Sequence, residues 1–575
     1  MSRNVNNCIR TRMRRAWPLL AGLLAAACDT APPLPADRVY LNGAVYIFDD
    51  EHRKVEALAI RDGVVVFAGS STAAARFIDD RTEVTDLRQR MLMPGFHDAH
   101  AHVIAAGLAK AGCNLEDERD HDLIREILEA CAGSGDVGPD EWVRGSRWPL
   151  AAFADGRPPI QWLDEIFGGR PAYFVDSFAH SAWVSSRALQ IAGIDRNTPD
   201  PANGVIERDT QTGVPVGVLR DSAMDLVARH LPEPTAAELA AALKAALGDV
   251  RHYGITAYIE PGLSEPYLLA YRDADQSGKL TARVLASLSP LAWDAGRFGD
   301  EIFDLLEKRA EYRGKYLRTD SVKVYVDGVI ETRTSFMLKP YSGGGNFPPF
   351  YPADELAGLY QKLDAMGLQI HTHAIGDGAI RLALNAYELA RLANGPNDNR
   401  HQIVHLQLID AEDIPRFPAL DVAANFQCLW CYPDDYIDVA VGIVGSERVN
   451  RFYPVASVAK SGGLVVGGSD WDVSSLNPLD AIETAVTRQN PYTDQGPVLG
   501  SGENIDLQLA IDMYTRNAAR VMRLDTVSGS LEVGKRADLI VLDRDLFAIP
   551  VHEVNEARVL QTQIDGIEVH TDRSF

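Results

Sequence analysis

Eight short apolar runs, each long enough for a strand and each set apart from the next by segments with helical spacing, constrain this chain more than any other feature. They lie at residues 92–96, 255–259, 282–287, 322–326, 368–373, 402–405, 422–426 and 464–467. Apolar strands alternating with helices suit a parallel sheet, whose crossover connections cover both faces. Eight such units predict an α/β fold of the (β/α)8 TIM-barrel type. Some helices carry their own punctuation. Thr235-Ala-Ala-Glu238 reads as a capping box ahead of Leu239, Leu243 and Leu247, and another helix follows Asp377 and stops at Asn394-Gly-Pro396.

The barrel is expected over 92–520, interrupted by an inserted lobe at about 115–231, because the gap of roughly 150 residues between the first two runs far exceeds an ordinary connection. Short strand patterns flank it at both ends. Residues 38–91 and 521–575 each read as β-rich, the latter with an Asp565-Gly566 hairpin signal, and together predict one small β-sandwich domain built from both termini.

Charge separates the first residues from the rest. The 575-residue chain has a net charge of −24, which repels polyphosphate and excludes a nucleic-acid partner. Residues 1–27 nevertheless hold Arg3, Arg10, Arg12, Arg14 and Arg15 and no acid, followed by an apolar run of signal-peptide length. Leu24-Ala-Ala-Ala-Cys28 resembles a bacterial lipobox, and the prolines of the tether at 28–37 suit a spacer. The expectation is an exported, periplasm-facing lipoprotein of the bacterial cell envelope, held on the membrane by lipid on Cys28. A cleaved signal giving a soluble periplasmic or secreted protein is the alternative. In an oxidising compartment Cys113 and Cys131 could form a disulfide, with two free buried thiols as the competing reading. Cys428-Leu-Trp-Cys431 lacks the setting of a redox motif.

The chemically loaded residues fall at the ends of the predicted strands, where a barrel opens its active site. His100 and His102, two apart in extended chain, project to one side and can share a metal. Lys323 places an ammonium in an apolar alternation, which is costly unless neutralised, paired or chemically converted. His371 and His373 end the fifth strand, His405 the sixth, and Asp470 follows the eighth. Taken singly, each has a structural explanation; joint placement in barrel order does not.

These motifs resemble the amidohydrolase superfamily, in particular its amidohydrolase-3 branch, which includes N-substituted formamide deformylase-like proteins. The resemblance rests on Pro94-Gly-Phe-His-Asp-Ala-His-Ala-His102, Val322-Lys-Val-Tyr-Val-Asp-Gly328, His371-Thr-His-Ala-Ile-Gly-Asp377, Arg400-His-Gln-Ile-Val-His405 and Gly468-Ser-Asp470. It implies that His100, His102 and Asp470 hold one divalent ion, that Lys323 is carboxylated and bridges to a second, and that His373 and His405 bind that second ion. His371 is then either an outer residue or the ligand in place of His373. His97, and Val404 before His405, depart from the usual pattern.

The resemblance implies one or two divalent ions, zinc foremost, and no organic cofactor. Such ions lower the pKa of water from about 15.7 toward about 7 and polarise a carbonyl. Asp470 is the expected general base. The predicted reaction is hydrolysis of a C–N bond in a small-molecule amide, formamide or cyclic amide; ester hydrolysis and deamination use the same machinery, and a non-catalytic binding lipoprotein is the rival from another class. Substrate contacts are expected from Trp148, His180, Arg333, Trp430 and His371. A homo-oligomer stays open.

Overall fold

The computed structural model describes residues 33–575 apart from 117, 134–137, 139–140, 290–297, 494–495 and 501. The expected export signal, and Cys28 within the expected tether, lie outside the described residues.

The barrel strands are β1 (Phe96–Asp98), β2 (Ile255–Leu263), β3 (Arg283–Leu288), β4 (Leu317–Tyr325), β5 (Gln369–Ala374), β6 (Gln402–His405), β7 (Ala423–Phe426) and β8 (Val465–Gly467). All eight pair in parallel in sequence order. The two edges meet just beyond the paired residues. Ala99 N donates to Gly467 O at 3.0 Å and Asp470 N to His100 O at 2.7 Å, so the sheet nearly closes. The predicted helices surround it as their caps require: Thr235 and Glu238 form the reciprocal capping box of helix Ala236–His252, and helix Asp377–Asn394 ends at Gly395.

One predicted strand is corrected. The apolar run at 92–96 is not a single barrel strand: Met91–Pro94 belongs to another sheet, and only Phe96–Asp98 enters the barrel. Gly95 is the joint. A Cβ there would lie 2.2 Å from Thr256 Cγ2, so only glycine lets the chain pass so close to β2 while changing sheets.

Met91–Pro94 sits inside a six-stranded sheet, between Leu539–Leu542 and Ala44–Tyr46. A four-stranded sheet of Arg38–Leu41, Ala57–Arg61, Val64–Gly69 and Glu83–Asp86 lies with it, and Tyr40, Leu58, Leu92, Leu539 and Val541 share one apolar cluster. Arg283, the first residue of β3, ties this end to the bottom of the barrel. Its guanidinium donates to both Asp538 oxygens, at 2.6 and 3.0 Å, and to Asp565 at 2.5 Å.

The inserted lobe carries its own six-stranded sheet, running from Cys113–Asn114 at one edge to Gly204–Arg208 at the other. Trp148, Phe174 and Trp183 fill its core. A disulfide joins Cys113 to Cys131 on helix His121–Gly133. Among the described residues no helix is long and apolar enough to cross a membrane.

Candidate metal centre

The loop after β1 is shaped by a carboxylate. Asp98 Oδ1 accepts from His100 N and from Ser469 N, both at 3.0 Å, which draws the segments after β1 and β8 together and sets His100 opposite Asp470. His102 precedes helix Val103–Ala111, whose first amides donate to Glu260 on β2, at 2.8 Å from Val103 and 3.3 Å from Ile104. An acid at that helix start satisfies amides that have no partner within the helix.

On β4 and β5, the period of two turns alternate residues inward in register. Lys323 lies beside His371 and Tyr325 beside His373, giving a lower and an upper layer. Lys323, 1% exposed, has Nζ 3.3 Å from His100 Nε2 and 4.9 Å from the centre of the Tyr325 ring. His371 Nε2 lies 2.7 Å from His100 Nδ1 in the lower layer. In the upper layer His373 packs against His405, ring centres 4.6 Å apart.

The last residue of β6 and the third residue after β8 adopt backbone that side chains rarely take up. His405 has φ +81° and Asp470 φ +53°. Such conformations cost on the order of 1–3 kcal/mol each and persist where the surroundings enforce them, which is common at functional sites. His405 is held by two partners: Trp430 stacks on it at 5.6 Å, and Gln427 Oε1 lies 2.9 Å from Nδ1. Gln427 Nε2 donates to Asn425 Oδ1 at 3.2 Å, which fixes the amide with its oxygen toward His405. His405 Nδ1–H therefore donates to Gln427, leaving the Nε2 lone pair unprotonated.

Burial dominates the electrostatics. It holds His100, His371, His373 and His405 well below the usual imidazole range, with neighbouring imidazoles or Lys323 adding to the effect. Lys323 is lowered to about 7 by burial, against the pull of Asp470. For Asp470 burial acts in the opposite sense, but His102, His405 and Lys323 outweigh it and keep the carboxyl below the usual carboxylate range.

The result is neutral imidazoles around one anion. His100, His405 and Asp470 offer atoms that all lie within 4.8 Å of one another. Asp470 Oδ1 is buried and makes no aligned hydrogen bond, although Nε2 of His100 and of His102 stand 3.1 and 3.3 Å away. An anionic oxygen left without a bonded proton, ringed by nitrogen donors, fits a divalent cation such as zinc.

A cavity of about 740 Å³ opens onto this cluster, lined by His373, His405 and Asp470 and also by His180, Trp430, Trp471 and Glu331. His180 comes from the inserted lobe. Its Nδ1 lies 2.7 Å from Asp221 Oδ1, and its ring centre 5.2 Å from that of His373. His371 does not line the cavity; it sits a layer below, between His100 and Gln402.

Two further expected substrate contacts, besides His371, are placed elsewhere. Trp148 is fully buried in the core of the lobe, its Nε1–H donating to Phe174 O at 3.0 Å, so its bulk serves packing. Arg333 adopts φ +61° and is exposed, Nη1 3.5 Å from Ser342 O, so it does not line the cavity although Glu331 does. His97 is a buried tie between Gly95 O and Ser528 Oγ, at 3.0 and 2.9 Å.

Sequence reasoning missed the amide relay beneath the cluster. Gln402 Nε2 lies 3.2 Å from His371 Nδ1, Asn425 Nδ2 donates to Gln402 Oε1 at 2.9 Å, and Gln427 continues to His405. The available signal was polar amides recurring at inward positions of strands otherwise apolar.

Comparison with known proteins agrees with this architecture. Protein LONG AFTER FAR-RED 3 of Arabidopsis thaliana is 30% identical over 574 residues, covering 96% of this chain and 95% of the plant protein. N-substituted formamide deformylase of Arthrobacter pascens is 26% identical over 552 residues, covering 92% and 98%. Among solved structures, an uncharacterized metal-dependent hydrolase from Pyrococcus furiosus superposes with a TM-score of 0.68 at 25% identity, over 88% of this chain and 99% of that one. The profile of the amidohydrolase family matches residues 83–570, spanning the barrel, the lobe and the strands returned from the C-terminus, and the chain belongs to that family.

Proposed function

We propose that the protein is a metal-dependent hydrolase that cleaves a C–N bond in a small amide, N-substituted formamide or cyclic amide. The observation that carries this reading is Asp470: a buried, ionised carboxylate with one oxygen unsatisfied, facing imidazoles at the floor of a cavity large enough for a small substrate. His100, His102 and Asp470 would hold one ion, and His373 and His405, with Lys323 between, a second. A divalent ion held there acidifies water and polarises a carbonyl.

The chain's own groups supply the rest. Asp470 takes the proton of the attacking water and returns it to the departing nitrogen. Gln427 and Trp430 hold the His405 ring, and His371 buttresses His100. His180, oriented by Asp221, positions the substrate from the lobe side. Burial lowers the Lys323 amine to about 7, which favours the uncharged form; that form would add carbon dioxide and release one proton to solvent, giving an anionic carbamate and relieving the cost of a buried cation. The deformylase among the relatives supports N-substituted formamides as substrates.

The test is metal analysis of the purified protein together with a turnover screen of formamides, N-acyl amines, cyclic amides and esters. At least one tightly bound divalent ion per chain and turnover confined to C–N substrates are expected. Less than one ion in metal-replete buffer, with no turnover lost in Asp470→Asn, would falsify the reading.

The chain's place in the cell belongs to the same proposal. An arginine-rich start, an apolar run and Cys28 in lipobox order support an exported lipoprotein, and the Cys113–Cys131 bridge suits an oxidising compartment. Labelling with a fatty acid, absent from Cys28→Ala, is the expected result.

A further inference from the structure

The cavity contains several charged side chains, and most are already committed. Lys110 pairs with Asp249, and Arg119 with Asp435. Asp434 caps helix Asp435–Val444, accepting from Ile437 N at 2.8 Å. Glu331 differs. It lines the cavity at 9% exposure, yet its hydrogen-bonding partner is a neutral amide, Gln407 Nε2, 2.7 Å from Oε1. Among the described residues no lysine or arginine stands within ion-pair distance of it; the nearby group able to carry positive charge is His180.

A buried carboxylate without a cation is a costly arrangement, and burial pushes the Glu331 carboxyl up to about 7. The amide of Gln407 fixes the direction of the side chain without neutralising it. Gln407 follows His405 by two residues, and Glu331 lines the same cavity as His373, His405 and Asp470. The surrounding walls are aromatic. Trp430, Tyr432, Tyr436 and Tyr453 line the same cavity. Aromatic faces around a carboxylate are the surroundings that favour an alkylammonium or guanidinium, because ring quadrupole and anion attract the same charge.

We infer that Glu331 is the specificity-determining residue of this cavity, and that the substrate carries a cationic group, an alkylammonium or guanidinium, a few bonds from the scissile C–N bond. This rests on the hydrolase reading for what is cleaved, but not for what is bound.

Two measurements on the full-length, metal-loaded protein separate these. The first is calorimetric binding of butylammonium and of its neutral isostere butanol, to the parent protein and to Glu331→Gln. The parent is expected to bind butylammonium at least tenfold more tightly than butanol, and Glu331→Gln to lose that preference while keeping its metal content and melting temperature. Glu331→Asp, which keeps the charge on a shorter arm, should retain part of it. The second is turnover of an N-formyl diaminoalkane against an N-formyl alkylamine of equal length. Glu331→Gln should lower kcat/KM at least tenfold for the cationic substrate, through KM, and less than twofold for the neutral one. No preference for the cation in the parent, or a preference that survives in Glu331→Gln, overturns the inference. A preference abolished in Glu331→Gln with neither formamide hydrolysed supports it and rejects the proposed reaction instead.

Discussion

Arg283 and Lys323 are both cationic residues buried in the barrel wall on adjacent strands, and they are treated in opposite ways. Arg283, at the bottom of β3, meets Asp538 and Asp565 in three hydrogen bonds, and these acids, outweighing its burial, raise its pKa further. Lys323, toward the top of β4, has no acid in hydrogen-bonding contact among the described residues and falls to about 7. At the bottom, polar groups saturate one another and join two parts of the chain. At the top they are kept short of partners, so that a ligand can complete them. The difference follows the barrel's division of labour between a stabilising N-terminal face and a reactive C-terminal face.

Four experiments would break or sharpen this contrast. The largest effect is expected at the top: Asp470→Asn should lower kcat on the order of a thousandfold, with little change in melting temperature. A comparable loss of stability would mean that the top also holds the fold together. At the bottom, Arg283→Met leaves two buried carboxylates facing each other and should destabilise by about 3–5 kcal/mol in urea unfolding, with kcat per folded molecule unchanged. Gln427→Leu should weaken metal affinity by about 10–100-fold through loss of the His405 hydrogen bond, measured by chelator competition.

The smallest effect is on pH dependence. The cluster imidazoles stay neutral in the fold, while the unfolded chain takes up protons below its ordinary value of 6.5. Their contribution is therefore present above about pH 6.5 and is lost as pH falls. Asp565 is held to about 2, Lys315 and Arg283 overcoming its burial, so its contribution is lost only as pH falls from about 4 toward 2. Thermal melts of chelator-treated protein should begin to decline near pH 6.5, and metal loading should raise the whole profile without moving that onset, which the unfolded chain sets. Melting temperatures that metal fails to raise at any pH would separate the cluster from metal binding.

Seven barrel strands could be read from the sequence because a strand buried on both faces must be apolar throughout. The first could not be placed correctly. Residues 91–96 are equally apolar on both sides of Gly95, and what divides them is pairing with Leu539–Leu542, more than 400 residues away. The histidines, Lys323 and Asp470 stood out because ionisable groups interrupt apolar runs where a barrel opens. Gln402 and Asn425 interrupt the same runs and Gln427 follows one directly, but an amide alone carries no signature of chemistry. Trp148 was misread for the converse reason: an aromatic residue near a strand end suggests a ligand contact until the lobe's own core, assembled from distant segments, accounts for it.

The sheet that holds Met91–Pro94 also sets an order of events for the growing chain. Its inner strands come from both ends of the molecule, so one side of Met91–Pro94 stays bare until Leu539–Leu542 has been synthesised. A chain stopped short of residue 539 would carry a complete set of barrel strands and an open apolar edge, the template on which nascent chains associate. Leu539–Leu542 thus covers an edge that the first half of the chain leaves open, and ties correct assembly near the start of the chain to residues made more than 400 positions later.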